Sequence, residues 1–191
     1  LDIQTMAIPE VRLLVPRRFA DARGFLSETY SRQRLAEAGV GDALIQENHS
    51  CSAASGTVRG LHFQAPPFAQ TKLVRVLRGA AIDVAVDIRK GSPTYGRHVA
   101  VMLSRDNWAQ LYVPAGFAHG FCTLEPDTEV LYKLDAPYAP HAEAGLYWAD
   151  PDLGIDWPVA AADAVLSDKD RVLPRLKDFD SPFTYGGNHA G

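Results

Sequence analysis

Cysteine is scarce: Cys51 and Cys122 are the only two in 191 residues. That is too few for a disulfide framework, and the expectation is two reduced, partly buried thiols. A basic surplus is missing as well. Nineteen lysines and arginines are outnumbered by 23 aspartates and glutamates, for a net charge of −4. General nucleic-acid binders carry the opposite balance, so nucleic acid is not an expected partner. A local basic pocket for one anionic small molecule remains compatible with that charge. No apolar run approaches the ~18–20 residues of a membrane helix. The opening LDIQTMAIPE lacks the charged-then-apolar pattern of a leader. These features predict a soluble, cytoplasmic protein with no membrane partner. Long linkers, low-complexity tracts and internal repeats are also lacking, and the length suits one domain over residues 1–191 with terminal arms. The Gly-rich end, from about residue 184 to 191, reads as a mobile tail.

What the chain has in quantity is the periodicity of strands. In AIDVAVDIRK, Ile82, Val84, Val86 and Ile88 alternate with Ala81, Asp83, Ala85 and Asp87, as in a half-buried strand. HVAVMLS, QLYVPAG, HGFCTLE and EVLYKLD are further β-rich runs separated by Gly, Pro, Asp and Asn. Such spacing predicts an antiparallel sandwich or barrel. SRQRLAEAG, residues 31–39, reads as a helix with Ser31 as N-cap and Gly39 just past its end. LPRLKDF is a candidate for a second short helix.

Residues 59–79, RGLHFQAPPFAQTKLVRVLRG, have the rhythm of a metal-binding motif of small β-barrels. That motif has two histidines one residue apart, then a glutamate, then a closing glycine. Here His62 is the single usable ligand, Gln64 takes the second histidine position, and Lys72 takes the glutamate position before Gly79. Pro114, Gly116 and His119 match the second half of the same motif. Metal sites want neutral or anionic donors, and an ammonium in the cavity repels a dication. No metal is therefore expected. Beside a carbonyl, the same lysine becomes useful, because a nearby cation stabilises the enolate left by proton removal. Histidine, with a reference pKa of about 6.5, can take that proton. A carboxylate behind it would fix its tautomer, and on residue type alone both Asp170 and Asp83 are candidates.

DARGFLSETY, QENHS, RGLHFQ, KLVRVLRG, DVAVDIR, PAGFAHGF, YK followed by Tyr138, and DPDLGIDWP occur in an order typical of one family. From about Ile8 to about Asp170 the chain resembles the dTDP-4-dehydrorhamnose 3,5-epimerases. The resemblance implies a mainly β fold, a cupin-type antiparallel barrel or jelly-roll sandwich with short peripheral helices. It also implies no cofactor and a dTDP-4-keto-6-deoxyhexose substrate. A homodimer is implied too, in which an N-terminal arm, about residues 1–30, completes the other subunit's pocket. Carried over by position, His62 becomes the base beside the C4 carbonyl and Tyr132 the acid on the opposite face. Asp170 becomes the partner of the histidine, and Lys72 the cation near the ketone oxygen. Arg59 and His119 match residues holding sugar and phosphates. Phe19, Arg23 and Glu28 match the arm that reaches the nucleotide, and Gln46 and Asn48 match polar contacts. Tyr138 resembles the aromatic on which thymine stacks, with Glu143 and Lys169 as further contacts.

The chemistry suits these residue types. Inversion needs a proton removed from one face and returned to the other, so a base and an acid of different kind serve better than one shuttling residue. Alternatives are epimerisation at C3 or C5 alone, a metal-dependent enzyme on the same scaffold, or a non-catalytic sugar-binding module. Simpler roles also exist for single residues. Tyr132 could be strand packing, Gln46 and Asn48 could satisfy a ladder, and Arg23 could pair with Asp21 or Glu28 at the surface. Trp148 and Trp157 read as loop anchors. Two features depart from the family pattern: the loop around Ala53–Gly56 is longer, and Phe63 stands where tyrosine is common.

Overall fold

The computed structural model describes residues 1–40 and 43–186. An N-terminal pair, β1 (Asp2–Thr5) and β2 (Arg12–Val15), leads to a hairpin of β3 (Arg18–Asp21) and β4 (Gly24–Ser27), then to helix α1 (Arg32–Glu37). Next come β5 (Gln46–Ser52), β6 (Val58–Gln64), β7 (Lys72–Arg78) and β8 (Ala80–Asp87). The runs expected from alternation follow as β9 (His98–Ser104), β10 (Gln110–Val113), β11 (Phe117–Thr123) and β12 (Thr128–Leu134). A short β13 (Glu143–Gly145) and a single turn of helix, α2 (Asp168–Arg171), complete the elements near the site.

Two antiparallel sheets face each other. One has the order β1-β2-β10-β7-β12-β5, the other β13-β6-β11-β8-β9, and β3–β4 stands apart as a two-stranded ribbon. Between the sheets lies an apolar layer that includes Val74, Val76, Leu103, Leu111, Phe117, Phe121 and Val130. Burial of such side chains, at about 25 cal/mol per Å² of apolar surface, is the main force holding the sheets together. This is the cupin-type arrangement, and it fixes which residues can line a pocket: those on the inward face of either sheet.

β8 departs from the half-buried strand its alternation suggested, because both its faces are covered. Ala81 and Ala85 face the layer between the sheets. Ile82, Val84 and Val86 pack on the outer side against Leu146, Leu153, Trp157, Phe179 and Phe183 from the C-terminal segment. The apolar half of the alternation therefore faces that wrap, and the polar half, including Asp83, faces the interior. Phe63 joins the same outer cluster, with ring centroids 5.6 Å from Phe179 and 5.7 Å from Phe183. In that dry packing a tyrosine hydroxyl has no evident use.

Local signals held where the elements were long enough. Ser31 caps α1 by accepting from the Arg34 N–H, and Gly39 follows with φ +70°. LPRLKDF forms only a 3₁₀ turn, Leu176–Asp178, while the four-residue α2 lies elsewhere, in LSDKDR. The loop at Ala53–Gly56 is anchored: Thr57 and Thr123 hydroxyls both donate to the Ala54 carbonyl. Of the expected mobile tail, Tyr185 is tied down by its N–H to the Lys90 carbonyl, and residues 187–191 lie outside the described residues. Cys122 is buried, which pushes its thiol up to about 11, whereas Cys51 is exposed, contrary to the expectation of two partly buried thiols. Trp148 is buried, and Trp157 donates its indole N–H to the Trp148 carbonyl, so both act as anchors.

One ionic clamp ties chain ends to the sheet. Asp87, fully buried, accepts two bonds from the Arg89 guanidinium and one each from Ser92 and Thr94. Arg89 also reaches Glu10 at 2.8 Å and stacks over Phe117 and Tyr185.

Candidate active site

Strand alternation aims the key side chains. In β6, Leu61 and Phe63 belong to the outer cluster, so His62 points inward. In β7, Lys72 shares a face with inward Val74 and Val76, and in β12 Tyr132 shares one with inward Val130. In β11, His119 lies between inward Phe117 and Phe121. His62 and His119 thus come from one sheet, and Lys72 and Tyr132 from the facing one.

Arg59 and His62 are three residues apart, which in a regular strand would send them to opposite faces. A break in register between His119 and Phe121 in the β6–β11 ladder resolves this. Gly60 sits there with φ +125°, and a Cβ on it would lie 2.6 Å from the Gly120 Cα. Only glycine permits that φ together with so close a backbone approach. The irregularity lets both Arg59 and His62 line one cavity of about 480 Å³. Arg59 is steadied by bonds from its guanidinium to Ser52 Oγ and the Cys51 carbonyl, both 3.1 Å.

His62 Nε2 lies 2.6 Å from Asp170 Oδ1, and Asp170 is buried. Of the two carboxylates left open by residue type, Asp170 is therefore the one that meets His62. Burial pushes the Asp170 carboxyl up. That is outweighed by the hydrogen bond and charge of His62, the Ser167 hydroxyl and the Gly60 N–H, which hold it below the usual range. Asp170 sits in α2, whose Ser167 cap also accepts from the Asp170 N–H. With an ionised carboxylate as acceptor, the neutral imidazole carries its proton on Nε2 and leaves Nδ1 as the basic nitrogen.

The second aspartate is paired too. His119 Nε2 is 2.9 and 3.1 Å from the Asp83 oxygens, and both residues are buried. On residue type alone Asp83 is a candidate partner of His62. Its true partner was missed because the two lie 36 residues apart on neighbouring strands, where only the ladder register brings them together. Lys72 donates to the His62 carbonyl at 3.3 Å. Burial drives its ammonium down and the charges of Asp83 and Glu143 push back, leaving it at about 8.

A smaller cavity continues from the first, sharing His62, Lys72 and Tyr132 and adding Asn48, Tyr138 and Glu143. Tyr138, 55% exposed, donates its hydroxyl to Glu143 at 2.8 Å, and Glu143 binds Lys169 at 2.5 Å. Gln46 accepts from the Tyr138 N–H and donates to Asn48 Oδ1. Gln64 gives its amide to the Phe68 and Pro137 carbonyls and accepts from the Ala139 N–H, so it braces the loop that presents Tyr138. Among the described residues no group of three or more His, Cys, Asp or Glu is placed to hold a metal ion.

Phe19, Arg23 and Glu28 do not reach this pocket within the chain. Phe19 and Arg23 stand on the exposed β3–β4 ribbon, where Arg23 pairs with Asp21 at 2.5 Å, while Glu28 pairs with Arg34 at 3.1 Å. Ser50, Thr57, Phe121, Val165 and Leu166 also line the large cavity, and residue type alone gave no signal for them.

A histidine–carboxylate pair, a phenol from the facing sheet and a half-buried lysine thus share one cavity of a cupin sandwich, an arrangement shared with the carbohydrate epimerases this chain resembles. The dTDP-4-dehydrorhamnose 3,5-epimerase family matches residues 5–178. A relative of that name from Sinorhizobium fredii is 53% identical, covering 95% of this chain and 93% of its own. A crystal structure of the Bacillus anthracis dTDP-4-dehydrorhamnose 3,5-epimerase with TDP and PPi bound is 49% identical. It superposes with a TM-score of 0.88, covering 92% of this chain and 99% of its own. A Legionella pneumophila dTDP-6-deoxy-D-glucose-3,5-epimerase in complex with dTDP-4-keto-L-rhamnose is 41% identical, with a TM-score of 0.89 and 94% of each chain covered. This chain belongs to the dTDP-4-dehydrorhamnose 3,5-epimerase family.

Proposed function

We propose that this chain converts dTDP-4-dehydro-6-deoxy-D-glucose to dTDP-4-dehydro-L-rhamnose by inverting C3 and C5. The observation that carries the reading is the origin of His62 and Tyr132 on facing sheets of one cavity. A sugar held between the sheets presents one face to each. His62, with Nε2–H held by Asp170, removes the proton beside the C4 ketone through Nδ1. The electron pair moves onto the ketone oxygen, where the Lys72 ammonium stabilises the developing charge. Tyr132 returns a proton from the opposite side, which inverts the carbon. The enolate is basic enough to take it from a phenol of reference pKa ~10.

Binding follows from charge and shape. Arg59 and Lys169 supply donors for the diphosphate and sugar, and His119 lines the same cavity with Nδ1 left to accept from a sugar hydroxyl. Tyr138 offers an exposed ring for the thymine, with Gln46, Asn48 and Glu143 around it; such stacking is worth ~1–3 kcal/mol. The working unit is a cytoplasmic homodimer. The β3–β4 ribbon leaves Phe19, Phe25 and Leu26 exposed at 57%, 58% and 75%, an apolar surface that a second copy would cover. Across that interface Phe19, Arg23 and Glu28 reach the partner's nucleotide. Mixing His62→Ala with Arg23→Ala subunits should restore activity in hybrid dimers, and no restoration refutes the exchanged arm.

The catalytic roles are tested by His62→Ala and Tyr132→Phe. His62→Ala should abolish solvent exchange at the substrate carbons. Tyr132→Phe should keep some exchange yet lose inverted product. Near-normal activity in both variants would refute the roles given.

A further inference from the structure

We propose that Asp83 is a positioning residue for this chemistry: it fixes the proton on His119 Nε2 and acts as the counter-charge that keeps Lys72 cationic. The proposal rests on the epimerase reading of the pocket and deepens it. Asp83 is 1% exposed, on the inward face of β8 between buried Ala81 and Ala85. Among the described residues its side chain bonds to the His119 ring alone, with both oxygens in reach of Nε2. A buried carboxylate with a single ring as partner is a costly feature, which well-packed apolar residues would replace without loss if packing were its role.

Its position gives it a task. Lys72 faces His62 from β6, His119 from β11, Tyr132 from β12 and Glu143 from β13, with Lys169 and Asp170 on the same cavity, and Asp83 of β8 stands behind His119, bonded to its ring. Lys72's own strand puts Val74 and Val76 next to it on that face, with Arg78 at the far end exposed and paired with Asp127. Against burial, the negative charges raising its proton affinity are Asp83 first and Glu143 second. Asp83 therefore helps hold the Lys72 proton against burial, and by accepting the Nε2 proton it leaves the neutral form of His119 with Nδ1 as an acceptor.

The test has a part that needs no substrate. In ligand-free protein, ¹⁵N spectra of the histidines should show His119 protonated at Nε2; a bare Nε2 with the proton on Nδ1 overturns the proposal. The ¹³Cε titration of Lys72 should move to lower pH in Asp83→Asn, by about half a pH unit or more. An unmoved midpoint also overturns it. With substrate, Asp83→Asn should shift the alkaline limb of kcat by the same amount with KM little changed. In a Lys72→Arg background, whose guanidinium stays charged, the substitution should shift nothing. A uniform loss of activity across pH, with the limb unmoved, would mark Asp83 as merely structural and refute the inference. If the chain proves inactive on the dTDP-sugar, the proposed function fails while the two ligand-free spectra still decide Asp83. If Asp83→Asn does not fold, the wild-type His119 spectrum remains decisive.

Discussion

Replacing Lys72 with Met should make the protein more stable and inactive. Burial brings the Lys72 ammonium from the ordinary 10.5 to about 8, even with Asp83 and Glu143 attracting it. A drop of ~2.5 at ~1.4 kcal/mol each is a folding penalty of roughly 3 kcal/mol for holding the charge. The sign follows from proton counting. Below about pH 8 folded and unfolded chains both hold the proton, so the full penalty is present. Between about 8 and 10.5 the unfolded chain binds more protons, and stability rises with pH. Methionine keeps the volume without the charge. Urea unfolding at pH 7 and fixed protein concentration should then show a midpoint higher by ~1 M, for a slope of ~2–3 kcal/mol/M. The gap between variant and wild type should close as pH approaches 10. A Met variant no more stable than wild type, together with a flat wild-type profile from pH 8 to 10, would refute the claim that the cation is held at a cost.

Asp170→Asn removes the acceptor that orients His62, so kcat should fall by ~10²-fold or more in steady-state assays while the fold survives. The Asp170 carboxyl lies below the usual range because of His62, so its stabilising contribution is present above about pH 4 and is lost as pH falls further; acid unfolding of Asp170→Asn should be correspondingly less steep. Asp87→Ala leaves the buried Arg89 guanidinium with Glu10 as its remaining carboxylate and takes the acceptor from Ser92 and Thr94, and thermal or urea unfolding should show a loss of about 3 kcal/mol. Arg23→Ala breaks only an exposed pair with Asp21, so stability should change by less than ~0.5 kcal/mol. If the arm serves the partner's nucleotide, its KM should nonetheless rise.

β8, β9, β11 and β12 were legible because alternation over seven or eight residues leaves few alternatives, and α1 was legible from its cap Ser31 and the Gly39 that follows it. Alternation could not say which face of β8 meets the pocket. The C-terminal wrap covers Ile82, Val84 and Val86, turning the polar half inward, and that depends on residues some 60 to 100 positions away. Helical segments of three or four residues carry no period, so α2 went unread and LPRLKDF was over-read. His62 and Lys72 stood out through the motif they interrupt. The pairing of His62 with Asp170, 108 residues apart, followed from family resemblance, since spacing holds no trace of it. The joint aim of Arg59 and His62 depends on the facing glycines Gly60 and Gly120, a fact of backbone approach that residue types alone do not disclose. The exposed ribbon with Phe19 and Arg23 is legible as a surface, and a single chain gives it no pocket to fill.

The most direct measurement is incubation of the protein with dTDP-4-keto-6-deoxyglucose in deuterated water, with products read by mass and NMR. Deuterium at both C3 and C5, with inverted configuration at each, is the expected result. Deuterium at one carbon would establish a single-carbon epimerase, and folded protein that leaves both carbons unlabelled would contradict the proposed chemistry of His62, Lys72 and Tyr132.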